Sequence, residues 1–261
     1  MGILNVTPDS FSDGGKFLER EKAVEQALQM EEDGADLIDI GGESTRPGAK
    51  PVPIEFEIKR VIPVIKAIAK KIKVVISVDT RKAKVAEMAL VEGADIVNDV
   101  SALRFDPAMA SLIAKEGVPV VLMHMKGTPE HMQDNICYRE IVSEIMEFFK
   151  ERISFARQMG IEENKIIIDP GIGFGKSIEK DNFTILKNLA KFTELEKPIM
   201  VGPSRKAFLG HLLNLPVDDR EEATAAAVAV AIMNGANIVR VHDVKKMKRV
   251  AQVVDAIRRA Y

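Results

Sequence analysis

The chain has 261 residues, 46% of them hydrophobic and 29% charged. Its mean hydropathy is close to zero, as in ordinary soluble globular proteins. Thirty-seven Lys and Arg against 39 Asp and Glu leave a formal charge of −2, which argues against a basic nucleic-acid footprint. With only two Tyr and no Trp, stacking on bases is also disfavoured. The longest unbroken apolar run, Ala225 to Met233, is nine residues and too short to span a bilayer. The N-terminus carries no secretory signal pattern. The single cysteine, Cys137, cannot form an intrachain disulfide and reads as an inert filler, so a cytoplasmic location is expected.

In chain order, short apolar runs predict strands at Gly2–Val6, Asp36–Ile40, Val74–Asp79, Ile96–Asp99, Pro119–Met123, Ile166–Asp169, Ile199–Val201 and Ile238–Val241. Most are continuously apolar, as parallel strands covered on both faces are. Helical patterns lie between them. Ile141, Ile145, Phe148, Arg152 and Phe155 share one predicted face, and Met247, Val250, Ala251, Val254 and Ile257 another. Gly34-Ala35-Asp36, Gly93-Ala94-Asp95 and Gly235-Ala236-Asn237 each close a helical pattern and open a strand. Glycine after a helix adopts the left-handed conformation that turns the chain back, so these tripeptides mark the bottom of the fold. The loop Gly41–Pro53 is rich in Gly and Pro, and no linker divides residues 1–261. The expectation is a single (β/α)₈ TIM barrel domain. A doubly wound open sheet is the competitor.

In such a barrel the active site lies at the C-terminal ends of the strands. Those ends carry Asn5, Glu43, Asp79, Asn98 with Asp99, His124, Asp169, Ser204 with Arg205 and Lys206, and Arg240 with His242. One reading pairs Asp79, Asp169, Lys206 and Arg240 with one another as structural ion pairs. The other gives them a ligand of two characters. Asp79, Asn98 and Asp169 suit a flat polar heterocycle with an amidine-like edge. Lys206, Arg205, Arg240, Arg46 and His242 suit phosphate, with further donors from the loop Ser44-Thr45-Arg46-Pro47-Gly48. His124 is divided between pocket and support, and His131 and His211 read as surface residues. The run Gly171-Ile172-Gly173-Phe174-Gly175 imitates a dinucleotide fingerprint, but its third glycine comes one residue too early; as a P-loop it has Pro170 where glycine is needed. There is no zinc motif. A hard cation such as Mg²⁺, held by diphosphate oxygens and a side chain like Asn5, fits better.

Eight stretches in register make the sequence resemble the dihydropteroate synthase family of folate biosynthesis. They are Gly2–Gly15, Gly41–Gly48, Ser77–Thr80, Asn98–Val100, Met123–Gly127, Asp169–Lys176, Gly202–Lys206 and Arg240–Asp243. The resemblance implies a Mg²⁺-assisted condensation of (7,8-dihydropterin-6-yl)methyl diphosphate with 4-aminobenzoate. It implies that Asp79, Asn98, Asp169 and Lys206 bind the pterin and that Arg240 covers its face. Arg240, His242, Asn5 and the Ser44–Arg46 loop, with Thr45 and Arg46, would meet the diphosphate. Asn5 matches the metal-associated position. Phe174, Pro47, Ser204 and the Lys206 stem resemble the aminobenzoate pocket. The loop Thr7 to Gly15, with Asp13, would close over the site. Asp13, Asp79, Asp169, Lys206 and Arg240 are therefore the expected catalytic set, and a homodimer is implied. In that family residues usually precede the first strand, whereas Met1 opens it here, so a start further upstream is expected. Alternatives are a pterin-dependent methyltransferase, against which Ser204–Lys206 and Thr45–Pro47 weigh, and a non-catalytic pterin-binding paralogue.

Overall fold

A computed structural model describes residues 1–7, 16–134 and 136–260. Eight strands alternate with helices: β1 (Gly2–Asn5), α1 (Lys16–Glu32), β2 (Leu37–Gly41), α2 (Ile54–Ile68), β3 (Val75–Asp79), α3 (Ala83–Val91), β4 (Ile96–Asp99), α4 (Met109–Glu116), β5 (Val120–Met123), α5 (Ile141–Gln158), β6 (Ile166–Asp169), α6 (Asp181–Lys187), β7 (Met200–Val201), α7 (Ala207–Leu213), α8 (Glu221–Met233), β8 (Ile238–Val239) and α9 (Val244–Arg259). All eight strands expected from the sequence are present; β4 and β6 keep their predicted limits, and the others differ by one or two residues at an end.

β1 to β6 pair in parallel and in chain order, and β7 pairs with β8. Single parallel bridges, Ile168 to Ile199 and Gly2 to Val241, join the two sets. Ile3 N–H donates to the Val241 carbonyl (3.0 Å) and Val241 N–H to that of Met1 (2.9 Å). The sheet is thus a closed (β/α)₈ barrel and not an open one.

Residues two apart on a strand face the same side. Met1, Ile96, Val121, Ile167 and Met200 form an apolar plug that Leu37 and Ile238 complete. One step further along, the inward positions turn polar: Asp39, Ser77, Asn98, Asp169 and Arg240. The outward residues, such as Ile38, Ile40, Val97, Val120, Leu122 and Ile168, are buried under the helices. Gly34, Gly93 and Gly235 have φ of +93°, +111° and +102° and make the helix-to-strand turns, as expected.

Two predicted helix faces need correction. On α5 the buried residues are Ile141, Ile145, Phe149, Arg152 and Ala156, so Phe148 and Phe155 lie at the margin of the stripe. A helix turns 100° per residue, and a wide apolar stripe leaves its centre ambiguous in sequence. On α9 Met247 and Val254 are buried, but Ile257 is exposed. Cys137 is exposed, not a core filler.

Phe149 is fully buried and meets Phe148 and Phe192 edge to face at 5.6 and 6.1 Å. Phe149→Ala is expected to lower the unfolding free energy by about 3–5 kcal/mol, and Phe155→Ala by much less. Denaturant titration measures both, and equal losses would contradict the assigned face.

Candidate active site

The polar inward layer is built around a carboxylate absent from the expected set. Asp39, in the middle of β2, is fully buried. Its Oδ1 accepts from Ser77 Oγ at 2.5 Å, and its Oδ2 accepts from Asn98 Nδ2 at 2.9 Å and Arg240 Nε at 2.6 Å. Arg240 also donates through Nη2 to Asp79 Oδ2 at 2.9 Å. The proposed structural pairing thus holds for Arg240 with Asp79 but does not extend to Lys206, which has no ion pair among the described residues. A strand-end reading passes over Asp39, which sits two residues before the end of β2. The available signal was a lone carboxylate inside an apolar strand, Leu37-Ile38-Asp39-Ile40, since an isolated buried charge demands partners.

Asp79, Asn98 and Asp169 come together at the rim with Lys206 and Arg240, close enough for their charges to act on one another. Burial pushes the Asp79 carboxyl up, helped by the neighbouring Asp39 charge and opposed by Arg240. Burial raises Asp169 to about 6, although Gly171 N–H donates to its Oδ1 at 2.7 Å and Lys206 lies nearby. Lys206 is lowered to about 8 by burial and by Arg240, against the pull of Asp169 and Asp79. Its ammonium stands 4.2 Å over the Phe174 ring. Asn98 Oδ1 is buried and finds no donor among the described residues.

His242 was expected as a possible cation. Burial, reinforced by Arg240, Arg205, Lys206 and Arg46, lowers it to about 3, so it is neutral. Ser204 Oγ accepts from the His242 backbone N–H (3.2 Å) and lies 2.9 Å from Nδ1. With the hydroxyl donating to Nδ1, the ring proton is assigned to Nε2, and His242 becomes a neutral donor.

Other rim candidates serve the scaffold. Asp99 accepts from the Ser101 N–H and Oγ and from Leu103 N–H (2.6–2.8 Å), fixing the turn after β4 in which Ala102 and Leu103 have positive φ. Arg205 pairs with Glu221 at 2.7 Å. His124 is a support residue: its Nδ1 and carbonyl oxygen bind the fully buried Lys176 at 2.8 and 2.9 Å, so Lys176, which in the sequence only imitates a P-loop lysine, serves the scaffold. The glycine run is a turn, not a nucleotide loop, because the next helix begins only at Asp181. Gly171 has φ +70°, and a Cβ there would lie 2.0 Å from the His124 carbonyl oxygen.

Glu43 does not face the rim. Arg81 holds its Oε1 through Nε and Nη2 (3.0 and 2.8 Å), Lys82 bridges it to Glu57, and Val52 N–H donates to it at 3.0 Å. This buried, charge-balanced quartet ties together both ends of the loop carrying Thr45 and Arg46. Thr45 is half-buried and Arg46 exposed. Arg46 and Pro47 line a cavity of ≈ 390 Å³ with Thr7, Ser44, Lys50 and Arg60. Asn5, half-buried, ends β1. Among the described residues no three His, Cys, Asp or Glu side chains gather for a metal. Asn5 alone fits an ion carried mainly by phosphate oxygens, not one caged by protein. Asp13 lies outside the described residues, as does most of the Thr7–Gly15 loop.

A barrel with buried acceptors and cations at its strand ends is the frame of a pterin-binding enzyme. The pterin binding enzyme family matches residues 1–242, and the chain belongs to that family. The dihydropteroate synthase of Bacillus subtilis is 48% identical over 98% of this chain and 87% of its own length. That of Escherichia coli K12 is 46% identical over 98% and 90%. The crystal structure of Yersinia pestis dihydropteroate synthase with a sulfonamide drug covers 100% of this chain and 94% of its own, at 45% identity and a TM-score of 0.94. The Xanthomonas albilineans enzyme in complex with 7,8-dihydropteroate covers 100% and 94%, at 41% identity and a TM-score of 0.90. No described helix is long and apolar enough to cross a membrane.

The raised Asp169 makes a pH prediction. An amidine-like edge pairs with the ionised carboxylate, so pterin affinity should rise as pH increases through about 6. Free-protein stability should move the opposite way. The native state keeps a proton that the unfolded chain releases from a pH near 3.8, so the Asp169 contribution declines as pH climbs to about 6. Calorimetric titration from pH 5 to 8 should show this rise in wild type, and Asp169→Asn should remove the step near pH 6 while leaving those of Asp79 and Lys206 nearer 7 and 8. A wild-type affinity independent of pH would contradict the assignment.

Proposed function

We propose that the protein catalyses the dihydropteroate synthase reaction, joining 4-aminobenzoate to (7,8-dihydropterin-6-yl)methyl diphosphate with release of pyrophosphate. The observation that carries this reading is the mixed rim: Asp79, Asn98 and Asp169 are buried acceptors, and they adjoin Lys206 and Arg240. An acceptor set of this kind receives the ring N–H groups with Lys206 beside it, and Arg240 receives the other, anionic end. Residues 1–261 would work as one domain, in the cytoplasm as the lone cysteine suggests.

Asp169, Asn98 and Asp79 hold the pterin. Lys206 contributes to both pockets: its ammonium to the pterin, its stem with Phe174, Pro47 and Ser204 to the aminobenzoate. Arg240, Thr45, Arg46 and the His242 Nε2–H receive the diphosphate. Asn5 would hold Mg²⁺ together with diphosphate oxygens, and that ion would neutralise the leaving group. The arylamine nitrogen bonds to the pterin methylene carbon, the carbon–oxygen bond to diphosphate breaks, and the amine releases a proton to solvent. Positive charge that develops on the methylene is balanced by the carboxylates of the rim and by Asp13. An arylamine is already nucleophilic, so orientation and electrostatics supply the rate without a covalent intermediate.

Incubation with both substrates and Mg²⁺ should yield dihydropteroate and pyrophosphate in equal amounts. Lys206→Ala should reduce kcat/KM by about 100-fold or more, the scale of losing a group that stabilises transition-state charge. Pterin binding without pyrophosphate release would sink the reading and favour the non-catalytic paralogue.

We further propose a homodimer that covers exposed apolar side chains of α7–α9, among them Leu212, Leu213, Val230 and Met233. Light scattering should give twice 28.8 kDa, and Val230→Asp should shift the protein towards monomer. A monomeric wild type at micromolar concentration would refute the pairing.

A further inference from the structure

The contacts of Asp39 determine more than the position of a charge. A guanidinium nitrogen only donates. Arg240 Nε lies 2.6 Å from Asp39 Oδ2, so that oxygen must accept, whether or not Oδ1 carries a proton. The Asn98 atom 2.9 Å from the same oxygen must then be the amide nitrogen. Reversing the Asn98 amide would set two acceptors face to face in a buried site. The other Asn98 atom is consequently Oδ1, the buried oxygen with no donor among the described residues. A buried acceptor without a donor is costly, and a ligand that brings an N–H there removes that cost.

Backbone register enforces the arrangement. Asp39 pairs with Ser77 across β2 and β3, and Asp79 with Asn98 across β3 and β4. Ser77 holds Asp39 Oδ1 at 2.5 Å, so the carboxylate has little freedom to rotate. Its contacts come from β3, β4 and the residue that follows β8, and it is fully buried. It acts on a ligand indirectly, by holding Asn98 and Arg240 and by its charge beside Asp79.

We infer that Asp39 is a positioning residue that locks the Asn98 amide, so that Asn98 turns its Oδ1 to the pterin as an acceptor. This rests on the proposed function and deepens it. The lock sets the polarity of one point on the pocket wall. A ring edge with an N–H at that point is admitted, and one with a carbonyl or a bare ring nitrogen there is refused. Loss of a hydrogen-bond partner in a buried site separates such edges by an order of magnitude or more.

Substitutions at Asp39 test the lock. Asp39→Leu, of similar size, removes the acceptor and should weaken binding of (7,8-dihydropterin-6-yl)methyl diphosphate by at least about tenfold, the equivalent of one charged contact. Asp39→Asn keeps an oxygen at the point where Arg240 Nε and Asn98 Nδ2 both donate. Asp39→Asn should bind at least about tenfold tighter than Asp39→Leu, and an Asp39→Asn variant that binds no tighter overturns the inference. Ser77→Ala, which removes an Asp39 contact that does not involve Asn98, should change affinity far less. Should either Asp39 variant fail to fold, hydrogen exchange of the Asn98 side-chain amide in free wild type decides the matter. Protection of those protons supports the lock, and exchange as fast as in exposed asparagines overturns it. Because this measurement needs no pterin, a wild type that fails to bind pterin would strike the proposed function and leave the lock standing.

Discussion

Everything at the mouth of this barrel depends on the seam between its first and last strands. Two backbone hydrogen bonds, Ile3 to Val241 and Val241 to Met1, bring β8 beside β1. Only because the seam closes can Arg240 reach Asp39, 201 residues earlier in the chain. Without Arg240, Asp39 would be a carboxylate buried beside Asp79 with only neutral partners, an arrangement that low polarity makes costly. Closure and the polar layer therefore support each other. The seam delivers the cation, and the cation makes the buried carboxylates tolerable.

The interior is organised by depth. An apolar plug of Met1, Ile96, Val121, Ile167 and Met200 fills the lower barrel, and on five strands the next inward position is polar: Asp39, Ser77, Asn98, Asp169 and Arg240. Successive inward residues are two apart, so this change takes place within one step of each strand. A ligand at the rim thus rests on a packed floor and meets side chains with few rotamers left. Such preorganisation suits a reaction whose rate depends on orienting a leaving group and a nucleophile that is already competent. The Glu43–Lys82–Glu57–Arg81 quartet extends the same logic outward, since it fixes the stems of the loop carrying Thr45 and Arg46.

Electrostatic roles at the rim divide by what each charge already touches. Lys206 has an aromatic ring and no ion pair among the described residues. Arg205 is neutralised by Glu221, and Arg240 is shared between two carboxylates. His242 is surrounded by cations and stays neutral. The four groups look alike in a list of positive residues but offer a ligand different things: an ammonium resting on an aromatic ring, a spent guanidinium, a bridging one and a neutral N–H donor.

The sequence by itself determined the barrel, its eight strands, the helix-to-strand glycine turns and the convergence of Asp79, Asn98, Asp169, Lys206 and Arg240. These follow from local periodicity and from the rule that parallel strands end on one rim. Its eight matching stretches also pointed to the family to which the chain belongs. The tertiary structure decided which rim residues face inward and which are consumed by the scaffold. Glu43, Asp99 and Arg205 are of the right type at the right end, but each has neighbours from its own loop or from an adjacent helix. Asp39 and Lys176 are the converse case. Neither stands at a strand end, and their importance arises from partners on distant strands and loops, such as Arg240 for the first and His124 for the second. A residue's chemistry is written in its side chain, but its role depends on which donors and acceptors remain unpaired after the sheet has closed.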